Sequence, residues 1–344
     1  MALVFLGDTN VYVSPCLSTK PPIMTVNYPT FATRWLPLMA AVLLLPLVIG
    51  CDQSSDSDAS PDADTTATSA SLSYVDAMAE AHAADTSDAS PLVQPPAGPV
   101  TTETVTYGTS EDGTAWTGYY AAPEAADSLR SARGLSADAP LPGVVLIHEW
   151  WGLNDNIRAM ADRLAAEGYQ VLAVDLYEGD VADTPDGASS LMEEAMGRGD
   201  VLSRHLESAR TFMTEEQGAP QIGVMGWCFG GYWSLQAALN APSGWDGTVI
   251  YYGNVGNASA EAVAALEMPV LGIFGGDDGS IPTENVETFA DQLRDGGVNA
   301  DIRIYEGAGH AFANPTGSNY VPEAATDAWA RTLDFLQTTL YPDA

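Results

Sequence analysis

The spacing of apolar residues changes period several times along the chain, and each change predicts an element. Residues 144–147 form an unbroken Val-Val-Leu-Ile run, which suits a strand buried on both faces. From Asn154 the spacing lengthens. Ile157, Met160, Ala161, Leu164 and Ala165 recur at i, i+3, i+4, i+7 and i+8, predicting a helix that Gly168 closes. Further strands are predicted at 170–174, 222–225, 248–252, 270–274 and 300–305. Helices fall between them, including 283–294 with Val286, Phe289 and Leu293 on one face, and a last helix carries Trp329, Leu333, Leu336 and Leu340. Such alternation predicts βα units around a mostly parallel sheet. Two earlier strands, 104–107 and 116–121, flank the turn-rich Glu111-Asp112-Gly113 and predict an antiparallel edge. Residues 122–142, rich in Ala, Ser and Asp, read as a surface insertion ahead of the first core strand.

Upstream of about residue 100 this periodicity fades. Residues 51–100 are dominated by Ala, Ser, Asp, Thr and Pro, a composition that buries too little surface to offset the entropy of ordering, so they predict a disordered acidic tether. One folded domain is therefore expected over 101–344. The chain has a formal net charge of −34, and Lys20 is its only lysine. That balance excludes binding to nucleic acid or anionic lipid by charge. It also fits adaptation to high salt, where screening relieves self-repulsion.

Residues 1–50 read as a leader. Arg34 precedes an apolar run through Gly50 that holds Pro37 and Pro46 and is shorter than the roughly 20 residues of a spanning helix, which favours an export signal. Val48-Ile49-Gly50-Cys51 resembles the lipobox of bacterial lipoproteins, in which cleavage before the cysteine leaves a lipidated first residue. The resemblance implies a membrane anchor at Cys51, and Asp52 after it hints at inner-membrane retention, periplasm-facing. With Cys16 in the leader and Cys51 lipidated, Cys228 is the one thiol left in the folded domain, where it can form no intradomain disulfide.

Cys228 lies in Gly226-Trp227-Cys228-Phe229-Gly230-Gly231, directly after a predicted strand and directly before a predicted helix. A nucleophile projected on a tight strand-to-helix turn needs small neighbours, and this is that elbow with cysteine in place of serine. The helix N-terminus that follows favours thiolate over thiol. Of the domain's histidines, His205 is expected on a polar helix face and His148 ends the first core strand. His310, in Gly307-Ala308-Gly309-His310-Ala311-Phe312, follows the last strand at the C-terminal edge of the sheet, where active-site loops of open α/β sheets gather. Between cysteine and histidine stand Asp277 and Asp278, either of which could fix the imidazole tautomer; spacing does not choose between them.

Four segments in this order, Ile147-His148-Glu149-Trp150-Trp151-Gly152-Leu153-Asn154, the Cys228 elbow, Tyr251-Tyr252-Gly253 and Gly309-His310-Ala311-Phe312, resemble the dienelactone hydrolase family. The resemblance runs from about Gly113 to Leu340. It implies an α/β-hydrolase fold and hydrolysis of a small ester or lactone, without metal or cofactor. Asp278 matches the family acid, four residues before Pro282. Glu149 matches a glutamate that contacts the resting cysteine, and the backbone amides of Trp150 and Phe229 match the oxyanion donors. Tyr252, Trp151 and Asn314 match the substrate pocket. At Asn314, members acting on dienelactone carry an arginine for the substrate carboxylate, and a neutral amide supplies no charge-assisted bidentate contact. This departure from the family pattern argues against dienelactone itself as the substrate. The rival expectation is an envelope lipoprotein using the same fold as a binding module, and it would be marked by loss of one of these groups.

Overall fold

The computed structural model describes residues 74–83 and 94–341; the leader and Cys51 lie outside the described residues. A twisted eight-stranded sheet runs through it: β1 (Val100–Thr109), β2 (Ala115–Pro123), β3 (Gly143–Ile147), β4 (Gln170–Val174), β5 (Ile222–Trp227), β6 (Gly247–Tyr251), β7 (Val270–Gly275) and β8 (Ala300–Tyr305). Its spatial order is β1-β2-β4-β3-β5-β6-β7-β8. β1 and β2 pair antiparallel and β2 meets β4 antiparallel, while every pair from β4 to β8 is parallel. The order doubles back at β3, whose neighbours are β4 on one side and β5 on the other. Such a switch point opens a crevice at the carboxyl ends of the strands.

β3, β5, β6 and β7 are buried along their whole length, as their unbroken apolar runs require. The helices that cover them are amphipathic. α3 (Asp155–Ala166) turns Ile157, Met160, Ala161, Leu164 and Ala165 inward, and the Asn154 side chain caps it by accepting from the Ile157 amide. α8 (Thr283–Gly296) buries Val286, Phe289 and Leu293, and α9 (Pro322–Leu340) buries Ala328, Thr332, Leu336 and Leu340. α6 (Phe229–Asn240) is apolar on nearly every side and leaves β5 without a loop. The insertion holds a short surface helix at Ala126–Ala132 with no buried residue.

Two expectations change. Residues 74–81, read from composition as tether, form a helix, here α1, that packs Tyr74, Val75 and Met78 into the core cluster. Average composition hides this because the three apolar residues and His82 recur at helical spacing within a few turns. His205, expected on a polar face, is buried. It stacks on Trp116 with ring centroids 4.0 Å apart and meets the Tyr107 hydroxyl through Nδ1 at 2.8 Å.

Candidate active site

The elbow is built by steric necessity. Cys228 has φ +56° and ψ −114°, a left-handed backbone that L residues avoid and that surrounding structure must hold in place. A Cβ at Gly226 would stand 2.5 Å from the backbone of Gly230, and one at Gly230 would stand 2.3 Å from the Ile147 carbonyl oxygen. Glycine on both sides is what lets β5 turn at once into α6. The Cys228 amide donates to the Tyr251 carbonyl at 3.0 Å, which ties the elbow to β6. Phe229 is the first helical residue, so its N–H has no carbonyl one turn back and faces the crevice end of α6.

His310 comes from the loop after β8 and Asp278 from the loop after β7. His310 Nδ1 and Asp278 Oδ2 are 2.7 Å apart, with both side chains buried. Asp278 is itself fixed, its Oδ1 accepting from the amides of Ser280 at 2.8 Å and Ile281 at 3.0 Å. Asp277 points to solvent. The choice that spacing left open is made by this geometry: Asp278 is the carboxylate on the imidazole.

A ring nitrogen of His310 and the Cys228 sulfur lie within 4.8 Å of each other, together with a ring nitrogen of His82. Burial pushes the Cys228 thiol up, but His310 and His82 outweigh it and bring it down to about 6. Burial pushes His310 down, and the Cys228 and Asp278 charges outweigh that and raise it to about 10. The two shifts run in opposite directions, and both favour the proton on His310 over the proton on Cys228. Among the described residues, these three side chains are the group of at least three His, Cys, Asp or Glu compact enough to hold a metal ion.

Glu149 follows β3 and is buried. Asn314 Nδ2 donates to its Oε2 at 2.6 Å, while Asn314 Oδ1 accepts from the Thr316 amide and hydroxyl, each at 2.8 Å. Asn314 thus orients Glu149, and its own amide oxygen is taken up by Thr316. Tyr252, with φ +35°, sets its ring edge-on to His310 at 5.2 Å, and its hydroxyl finds no hydrogen-bond partner among the described residues. Trp150 and Trp151 pack edge to face at 5.0 Å beneath this corner. His148 is structural: Nε2 accepts from the Leu176 amide at 3.2 Å, Nδ1 meets the Glu149 carbonyl, and burial lowers its pKa to about 4.

A family model for the dienelactone hydrolase family matches residues 129–340. The chain belongs to the dienelactone hydrolase family. It is 34% identical over 208 residues to "Protein usf" of Aquifex pyrophilus, covering 58% of this chain and 89% of that protein. It is 32% identical over 236 residues to a "Putative carboxymethylenebutenolidase" of Escherichia coli K12, covering 64% and 86%. The crystal structure titled "Putative Dienelactone Hydrolase" from Klebsiella pneumoniae superposes with a TM-score of 0.58 at 29% identity, covering 69% of this chain and 98% of that one. The hydrolase fold and the ester-hydrolase class follow for this member of the family.

Of the residues matched by motif, Asp278 and Tyr252 meet His310, Trp151 packs on Trp150, Asn314 meets Glu149, and Cys228 lies within 4.8 Å of His310. Sequence reasoning missed His82 and Met78, because both lie in a stretch set aside on composition. Their helical spacing with Tyr74 and Val75 was the available signal.

Proposed function

We propose that this dienelactone hydrolase relative is a cysteine hydrolase of small esters or lactones, with Cys228 as nucleophile and His310 and Asp278 completing a triad. The observation that carries the reading is the 2.7 Å His310–Asp278 contact beside a cysteine on a left-handed elbow. The thiolate attacks the carbonyl carbon, and the oxygen takes up negative charge toward the backbone amides of Phe229 and Trp150. The carbon–oxygen bond to the leaving group breaks as His310 gives that oxygen its proton, leaving a thioester. His310 then takes a proton from water, the hydroxide attacks the thioester, and the carbon–sulfur bond breaks to return the thiolate and release the acid. Asp278 holds the imidazole tautomer throughout. Glu149, held by Asn314, is the family glutamate acting on the resting cysteine.

Substrate choice follows from leaving groups and charge. A thiolate expels activated alkoxides such as enolates and phenolates most readily, and the site offers no arginine at position 314. Neutral enol esters, lactones and aryl esters are therefore the expected class. Hydrolysis of an aryl acetate by the wild-type protein, lost in Cys228→Ala with the fold retained, supports this; undiminished turnover in that variant rejects it.

We further propose that the protein is exported, cleaved before Cys51 and held at the bacterial envelope by lipid on that cysteine. Wild-type protein in the membrane fraction, with Cys51→Ala in the soluble fraction, is the expected result. Equal partition of the two rejects the anchor.

A further inference from the structure

α1 and the turn after it lie outside residues 129–340 that carry the family match, yet they close directly over the nucleophile. Met78 Sδ stands 3.5 Å from Cys228 Sγ, and both residues are fully buried. The helix is pinned where it crosses the loop after β7, with Ser280 Oγ donating to the Ala77 carbonyl at 3.2 Å. The Tyr74 ring meets Tyr232 of α6 at 5.9 Å. Hydrophobic packing explains Tyr74, Val75 and Met78, but it does not explain His82. A histidine only 3% exposed is unfavourable unless its nitrogens are used.

The surroundings of His82 assign it a use. Its ring lies over Trp150 at 4.7 Å and meets His310 edge-on at 5.1 Å. That orientation brings one of its nitrogens, the Cys228 sulfur and a nitrogen of His310 within 4.8 Å of one another. We propose that His82 is a second imidazole of the active site, an N–H donor to the Cys228 sulfur delivered by the turn after α1, from outside the residues that carry the family match. The proposal rests on the reading of Cys228 as the nucleophile. His310 is tied to Asp278 and must trade its proton with leaving group and water during turnover. A second donor keeps the sulfur anionic and in place while His310 does so.

The other ionisable groups around the sulfur do not supply that donor. Asp278 and Glu149 are acidic, and the Tyr74, Tyr177 and Tyr252 hydroxyls have no hydrogen-bond partner among the described residues. Both imidazoles act to lower the thiol against its burial. Removing one of them should therefore move the thiol up. Met78 acts differently, since a thioether brings no N–H and can only accept from the thiol form of Cys228, as it does at 3.5 Å.

The experiment is the pH dependence of Cys228 alkylation by iodoacetamide in the full chain, read on the Cys228 peptide by mass spectrometry so that Cys16 and Cys51 do not contribute. The wild-type midpoint is expected near 6. His82→Ala should raise it by about one pH unit or more, the size of one lost charge-assisted hydrogen bond. His82→Gln retains an N–H donor and should recover part of the shift. Met78→Ala should speed alkylation at every pH without raising the midpoint. A His82→Ala midpoint equal to wild type overturns the proposal. So does a uniform acceleration like that of Met78→Ala, which would make His82 a mere cover. Turnover surviving in Cys228→Ala rejects the nucleophile reading instead, while the alkylation midpoint still reports whether His82 binds the sulfur.

Discussion

Two buried histidines in this protein each face a carboxylate, and they end in opposite states. His310, at the C-terminal edge of the sheet, meets Asp278 at 2.7 Å and is raised to about 10 because the Cys228 and Asp278 charges outweigh its burial. His205, on α5 (Gly199–Thr211), meets Glu178 at 3.4 Å and is lowered to about 4, with burial prevailing over that contact. Three differences decide the outcome. Asp278 is wholly buried and locked by two amides, whereas Glu178 keeps solvent contact and shares its charge with Arg198 at 3.5 Å. Cys228 adds a second negative group on the far side of His310, while His205 has the Tyr107 hydroxyl and the Trp116 ring there. A carboxylate beside an imidazole is thus not a functional site by itself; a fixed geometry and a charge to exchange make it one.

The largest test of this contrast is Cys228→Ala, expected to lower aryl-ester turnover by about 10³-fold or more, measured at pH 7. Close behind, Asp278→Asn should lower kcat by about 10³-fold with the circular dichroism spectrum unchanged, since the amide no longer fixes the productive tautomer. At the other histidine the effect should appear in stability alone. His205→Ala removes a buried ring and leaves the Tyr107 hydroxyl without its partner, so urea denaturation should report a loss of about 2–4 kcal/mol, with the pH profile of activity unmoved.

The pH profile itself should be bell-shaped. Cys228 is depressed, so its reactive thiolate is present above about 6 and is lost, about tenfold per unit, as pH falls through that value. His310 is raised, so its imidazolium persists below about 10 and is lost as pH rises through it. A single ascending limb centred near the ordinary cysteine range would remove the ion pair from the mechanism. Smallest of all, Glu178→Gln should leave kcat/KM within about twofold, because a partly exposed contact to a neutral histidine carries little energy.

Much of this was legible before any fold was drawn. The buried strands β3, β5, β6 and β7 stand at their predicted apolar runs to within a residue or two, because a strand buried on both faces must be apolar throughout, whereas β8, at the exposed edge, keeps polar residues and was placed by its alternation with helices. The edge strands also stand where predicted, though β1 runs longer, from Val100 to Thr109. The Cys228 elbow was legible because close approach of β5, α6 and β3 excludes any side chain at 226 and 230, which leaves a glycine pattern in the sequence. His205 was misjudged because helix-face polarity is read against a solvent that β1 and β2 displace. Residues 74–83 were misjudged because composition averages over a window, while burial depends on which few side chains share a face.

The sequence by itself determined the order of the sheet strands and of the helices between them, the glycine-flanked turn at Cys228 and the family, since each is written in local spacing and sterically required glycine. Only the tertiary structure decided which of two adjacent aspartates meets His310, that Asn314 is committed to Glu149, and that Met78 and His82 close over Cys228 from far upstream. Those relations join residues between 32 and 165 positions apart. Local periodicity does not encode contacts at such separation; the sheet order and the loops at its C-terminal edge bring them about.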